Sequence, residues 1–268
     1  MDRIGAAGGS PTGTLANGHL GGVDQNLSIG QEGTQVPALF VNAIQEELLA
    51  ILSAAGVTPD INVWSQVLNS IIGITQPKIQ VFNTAGTFTA TMAANKIAAL
   101  VIVVGAGGRG GAGNSGAGAG GQGSGAAIKM ATFLPGATFT VVVGAGGTSG
   151  TPDGGSSAAC GMTALGGVHG GIGNAGSVST NTTATGVATG GLLNFIGGVA
   201  PNGSAEDTLW IGSGGGSSLM GYGPPNTIGG SGYGFAGANA WMPGAGGAGG
   251  TYTNNGGNGA DGIVIFIG

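Results

Sequence analysis

Charge is the scarcest commodity in this 268-residue sequence, with five basic and ten acidic side chains and a formal net charge of −5. The basic residues Arg3, Lys78, Lys96, Arg109 and Lys129 are scattered, so no cluster exists to neutralise a phosphate backbone, and nucleic acid is not an expected partner. The single cysteine, Cys160, excludes an internal disulfide. The two histidines, His19 and His169, lie far apart with no acidic residue at ligand spacing, so neither a metal site nor a cofactor is expected. No stretch approaches ~18 consecutive apolar residues. The first ten residues also lack the apolar run of a signal peptide, which argues against membrane insertion and conventional secretion.

Glycine is what the chain has instead: 65 residues, about three times the usual share, with only 10 prolines and no triplet repeat through the whole chain, which excludes collagen. Hydrophobic residues still make up 41 %, too many for a chain kept disordered by polarity, so a packed core is expected.

Composition divides the sequence into three zones. Residues 1–33, rich in Gly, Ser, Thr and Asn, read as an extended attachment arm that orders only against a partner. In residues 34–77 the spacing of Phe40, Val41, Ile44, Leu48, Ile51, Leu52 and Ala55 predicts an amphipathic helix stopped by Gly56. A second helix is predicted through Val63, Trp64, Val67, Leu68, Ile71 and Ile72, after a loop of about four residues. A hairpin this small needs an apolar surface to cover, so Phe40, Ile44, Leu48, Trp64 and Leu68 are candidates for attachment or oligomerisation; packing on the rest of the chain is the alternative.

Residues 78–268 carry strand signals at residues 79–83, 87–91, 97–104, 127–134, 137–143, 156–160, 162–165 and 262–267. The fold class expected is mainly β: an eight-stranded, jelly-roll-like β-sandwich whose last strand returns from a long excursion to close a sheet. The turn sequences Asn83-Thr84-Ala85-Gly86 and Leu134-Pro135-Gly136-Ala137 suggest antiparallel hairpins. Two glycine-rich excursions, 105–125 and about 166–261, are expected to be ordered as extended threefold helices of the polyglycine II kind, because apolar residues punctuate the longer one too densely for a linker.

The motif Gly105-Ala106-Gly107-Gly108-Arg109-Gly110 after a strand matches a dinucleotide fingerprint, but the glycines that follow cannot sustain the helix that would hold a pyrophosphate. A nucleophile system would need His169 beside a serine and an Asp such as Asp153 or Asp207, and no spacing selects one. Glu206-Asp207, the only adjacent carboxylates of note, would diverge on a strand. No catalytic residue is assigned. Trp210, Tyr222, Tyr233, Phe235, Trp241 and Tyr252, set among glycines, are the candidate binding aromatics, with inward packing as the competing reading.

Two stretches resemble bacteriophage tail-fibre and receptor-binding proteins. The run Asn42-Ala43-Ile44-Gln45-Glu46-Glu47-Leu48, followed by Ala54-Ala55-Gly56-Val57-Thr58-Pro59, is similar to a helix near the N-termini of such fibres. The frame Val81-Phe82-Asn83-Thr84-Ala85-Gly86-Thr87-Phe88-Thr89, Val103-Val104-Gly105-Ala106-Gly107-Gly108, residues 135–147 and residues 259–265 is similar to their glycine-rich C-terminal domains, although Met92-Ala93-Ala94-Asn95-Lys96 replaces a usual Pro-Ala-Gly-like turn. The resemblance implies a virion-located homotrimer whose N-terminal part attaches to a tail or baseplate protein, while the far end meets a host surface glycan or outer-membrane protein. A purely structural tail component, or a depolymerase of surface glycans, are the alternative functions.

Overall fold

The computed structural model describes residues 38–93, 96–174, 179, 186–206, 209–230 and 232–268, so the predicted arm at 1–33 lies outside the described residues. The chain divides into two compact units, with the boundary between Thr75 and Gln76.

Helix α1, Ala38–Ala54, ends where Gly56 enters the left-handed region at φ 70°. The N–H of Val57 reaches back to the Leu52 carbonyl, closing a Schellman-type cap. Helix α2 is shorter than expected, Gln66–Thr75, and the connection correspondingly longer. The reason is local: Asp60 Oδ1 accepts the N–H of Asn62, and the Gln66 amide binds Asp60 and the Val63 carbonyl. Those side chains satisfy the backbone in a turn where helix would otherwise form. Trp64 therefore precedes α2 rather than lying on it, and is 97 % exposed. Leu52 and Ser70 are buried in this pair of helices, whereas Phe40, Ile44, Leu48 and Leu68 are exposed.

The second unit contains all eight predicted strands, which together with two unpredicted ones, Ala188–Thr189 and Leu193–Phe195, form two five-stranded sheets. The first runs, in spatial order, Ile79–Phe82, Ile263–Ile267, Ala98–Val104, Ala126–Thr132 and Leu193–Phe195. The second runs Ala188–Thr189, Met162–Ala164, Ser157–Ala159, Thr138–Val143 and Gly86–Thr91. As the sequence suggested, the last strand returns to insert between the first and third, pairing Phe266 with Gln80 and with Val101.

Alternation decides which side chains turn inward. Ala99, Val101 and Val103 from one sheet and Val141, Ala159 and Met162 from the other share a single buried cluster, which makes the pair a β-sandwich. Phe266 lies at its centre, 4.8 Å from the Phe139 ring and edge-on to Phe82 at 6.2 Å. Each such large side chain contributes about 1.5–3 kcal/mol by leaving water.

The two turn sequences read as hairpins are corners instead. Residues 83–85 carry the chain from the first sheet to the second, and so does the segment between Thr132 and Thr138. A tight two-residue hairpin does occur at Cys160-Gly161, where φ values of 52° and 74° give the primed turn that matches strand twist.

Beyond the sandwich, the glycine-rich excursions form a lattice of extended tracts. Five are long: residues 105–113, 116–125, 165–173, 244–251 and 254–262. Their hydrogen bonds repeat every third residue. The N–H groups of Gly105, Gly108 and Gly111 bind the carbonyls of Gly125, Gln122 and Ala119; those of Gly107 and Gly110 bind Ala260 and Gly257; those of Ala106 and Arg109 bind Gly155 and Pro152. The carbonyls along the same tract accept from Gly167 and Gly170, from Gly247 and Gly250, and from Gly147. One tract is thus bonded to neighbours on all sides, as threefold extended helices allow and a flat sheet does not. Pairing in three directions leaves the buried backbone satisfied without strands.

Glycine is needed here for closeness rather than for turning. A Cβ added at Gly107 would overlap the Ala245 carbonyl, and one at Gly123 the Ser217 carbonyl. Across the interior tracts the atom in that place is nearly always a neighbour's carbonyl oxygen, the geometry of Cα–H···O contacts. Within residues 105–113 the side chains recur at intervals of three, at Ala106, Arg109 and Ala112.

Candidate interaction surface

The lattice has two ends, and the register of its tracts fixes which residues reach each. Tract 105–113 leaves the sandwich at Val104 and turns at Asn114-Ser115 before 116–125 returns. The far end is therefore wherever the chain comes level with residues 113–117.

Thr251 and Tyr252 pair with Ala117 and Gly116, placing Tyr252 there. Ser115 and Tyr252 both sit in the left-handed region, at φ 58° each, and the Ser115 N–H binds the Tyr252 carbonyl at 2.9 Å. A bulky residue in that region costs about 1–2 kcal/mol, so the surrounding contacts must hold it. Trp210 does so, stacking on the Tyr252 ring at 5.3 Å and 12°.

Trp210 belongs to a small three-stranded sheet of Ser204–Glu206, Leu209–Gly212 and Thr227–Gly230, which lies against the same end. Tyr233 is bridged to Gly230 at the edge of that sheet, and Phe235 is bonded through its N–H to Thr251 Oγ1 at 2.9 Å. Tyr233 is 79 % exposed and Phe235 58 %, whereas Trp210 and Tyr252 are half-buried in their stack. Leu209 and Ile228 are exposed on the same small sheet, on the face opposite Trp210. Sequence reasoning passed over these two, whose signal was the short β run Thr227-Ile228, which lies opposite Ile211-Gly212.

The remaining two aromatics are elsewhere. Tyr222 follows a turn in which Ser218 pairs with Gly221, near the sandwich end of the lattice. Trp241 lies beside Met242 and Pro243 at that same end, lining a cavity of about 390 Å³ with Asn83 and Asp261. The structure thus gathers four of the six candidates, Trp210, Tyr233, Phe235 and Tyr252, and separates Tyr222 and Trp241 from them.

The dinucleotide-like motif is the first lattice tract. Every N–H from Gly105 through Gly111 is bonded to a protein carbonyl, so no anion cradle exists. His169 and Asp153 do meet: Nδ1 lies 2.6 Å from Oδ1, and the His169 N–H donates to the same oxygen at 2.9 Å. Partial burial pushes the Asp153 carboxyl up, but the hydrogen bonds from His169 and the charge of its ring outweigh this and hold it below the usual carboxylate range. Among the described residues no hydroxyl or thiol is bonded to the other ring nitrogen, so the pair lacks a nucleophile to serve. Asp207 lies outside the described residues. Burial raises the Cys160 thiol above its ordinary range, with the Lys129 ammonium opposing it. Among the described residues no group of three His, Cys, Asp or Glu could hold a metal ion, and no helix is long and apolar enough to cross a membrane.

A family profile described as a glycine-rich domain matches residues 83–267, which spans the sandwich from its first corner and the whole lattice. The chain belongs to this glycine-rich domain family. No curated protein matches the sequence significantly. Within the glycine-rich domain, the match begins at Asn83 and ends at Ile267, so both cavity-lining Asn83 and the distal aromatics fall inside it.

Proposed function

We propose that this protein is a bacteriophage tail-fibre or receptor-binding protein, attached to the tail or baseplate by its N-terminal part and binding the host surface with the distal end of the glycine lattice. The observation that carries the reading is the gathering of Trp210, Tyr233, Phe235 and Tyr252 at the lattice tip, with Tyr233 and Phe235 exposed. Tyr and Trp supply broad contact area at small entropic cost, and a rigid lattice holds them in place before the partner arrives.

The exposed apolar residues Phe40, Ile44, Leu48, Trp64 and Leu68 support the second half of the reading, since an amphipathic pair of helices left uncovered asks for a tail protein or further copies of itself. In a homotrimer three weak tips act together, so modest affinity per tip gives firm attachment. The virion is the corresponding location, and a host glycan or outer-membrane protein the corresponding partner.

The test is binding of purified protein to whole host bacteria, with Tyr233→Ala/Phe235→Ala as the comparison. Saturable binding weakened about tenfold or more by the double change, with unchanged circular dichroism, is expected. Binding that survives the change would remove the tip from the account, and absence of binding by the intact protein would leave a structural fibre component. Shortened extracted polysaccharide would mark an enzyme.

A further inference from the structure

At the opposite end of the lattice, Trp241 is 70 % exposed beside the cavity lined by Asn83, Ala240, Pro243, Gly259, Ala260 and Asp261. We infer that this cavity is a second binding site, for a neutral saccharide, distinct from the aromatic tip. The inference rests on the adhesion reading for the source of the sugar, and on the cavity's own chemistry for the rest.

Its volume, about 390 Å³, is at the lower end of the roughly 300–1,000 Å³ typical of small-molecule sites, a size suited to one or two sugar rings. The walls divide as a sugar requires. Trp241 and Pro243 in the lining supply the apolar surface that the C–H side of a pyranose packs on, and Asn83 and Asp261 supply an amide and a carboxylate that bind hydroxyls. With Asp261 in the wall and no Lys or Arg lining the cavity, a phosphorylated or sulfated ligand is disfavoured.

The site is also built to stay in place. Asp261 Oδ1 accepts the Gly146 N–H at 2.7 Å and Oδ2 faces the Ala85 N–H at 3.4 Å, so the carboxylate ties the Asn83–Gly86 corner of the sandwich to the lattice. Each oxygen keeps a second lone pair for a hydroxyl. The Ala240 N–H binds the Asn258 carbonyl, and the turn after Trp241 is closed by the Ala245 N–H on the Met242 carbonyl, with Gly244 at φ 75°. The Asn83 side chain is exposed.

Saturation-transfer NMR on the full chain tests this, using the methyl β-glycosides of glucose, galactose and N-acetylglucosamine, with glucose 6-phosphate as the charged control. At least one neutral glycoside is expected to bind in the millimolar range, ~1–10 mM, and more tightly than the phosphate. Trp241→Ala should weaken it about tenfold, Trp241→Phe should retain most of it, and Asn83→Ala should weaken it a few-fold. Tyr233→Ala/Phe235→Ala should leave it unchanged. Absence of transfer from all three glycosides, or equal binding by Trp241→Ala, would overturn the inference. Because the readout uses free sugars, its failure is separate from failure of whole-cell binding at the tip.

Discussion

Val103 and Gly107 are four residues apart in one chain, yet they are held in opposite ways. Val103 is fully buried because its side chain joins those of Val101, Val264 and Phe266 in a conventional core. Gly107 is buried because it has no side chain, so the Ala245 backbone comes within touching distance. In the sandwich, side chains fill space between two layers of backbone and exclude water from it. In the lattice, backbone fills the space itself and hydrogen bonds run in three directions. Sandwich stability therefore rests on volume present, and lattice stability on volume absent.

Paired substitutions test that contrast most sharply. Phe266→Ala is expected to cost about 3–5 kcal/mol through a cavity in the sandwich. Gly107→Ala, adding one methyl, is expected to cost a comparable ~3 kcal/mol or more, because the obstruction is backbone that can yield only by moving a tract. Urea unfolding of both proteins measures this, and a Gly107→Ala protein of near-normal stability would show that the tracts are loosely packed. The reverse change within the lattice is milder. Ala248→Gly removes a buried methyl and stiffens nothing, and about 1 kcal/mol is expected by the same measurement.

Gly150 marks the boundary of the effect. It lies in the short turn of the 144–155 segment with open space where a Cβ would go, so Gly150→Ala is expected within about 0.5 kcal/mol of the parent. The smallest effect is at the lattice surface, where the Asp153 carboxyl is depressed by His169. A depressed carboxylate stabilises the fold above its ordinary pKa of about 4, and the contribution is lost as pH falls through the folded value. Asp153→Asn should thus lower the melting temperature slightly at pH 6, by an amount typical of exposed pairs, and the difference from the parent should vanish near pH 2.

The sandwich was legible because β-branched runs such as Leu100-Val101-Ile102-Val103-Val104 have only one comfortable home, and all eight were found. What misled was the meaning of turns. Asn83-Thr84-Ala85-Gly86 reports that the chain changes direction, but whether the next strand joins the same sheet depends on partners far away in sequence, here Ile263–Ile267 for one side and Thr138–Val143 for the other. The start of α2 slipped because Asp60 and Gln66 cap a turn, a side-chain competition that apolar spacing does not register. Aromatics set among glycines were visible as a group, yet their division between two ends follows from tract register, which carries no side-chain signature. The threefold geometry was expected from glycine content and the apolar residues among the glycines; the local period of three in residues 105–113 is a further signal that the reading passed over.

That period has a consequence for how such a molecule can vary. Since each tract meets its neighbours anew every three residues, a hairpin can lengthen without loss of register only by whole triplets added to both of its arms, each raising the tip by about 9 Å. The 144–155 hairpin, which ends near the level of Arg109, and the 105–125 hairpin, which continues to Asn114, are two heights on that ladder. Diversity would accumulate in steps: residues at the crowns free to change one by one, hairpin heights only by the rung.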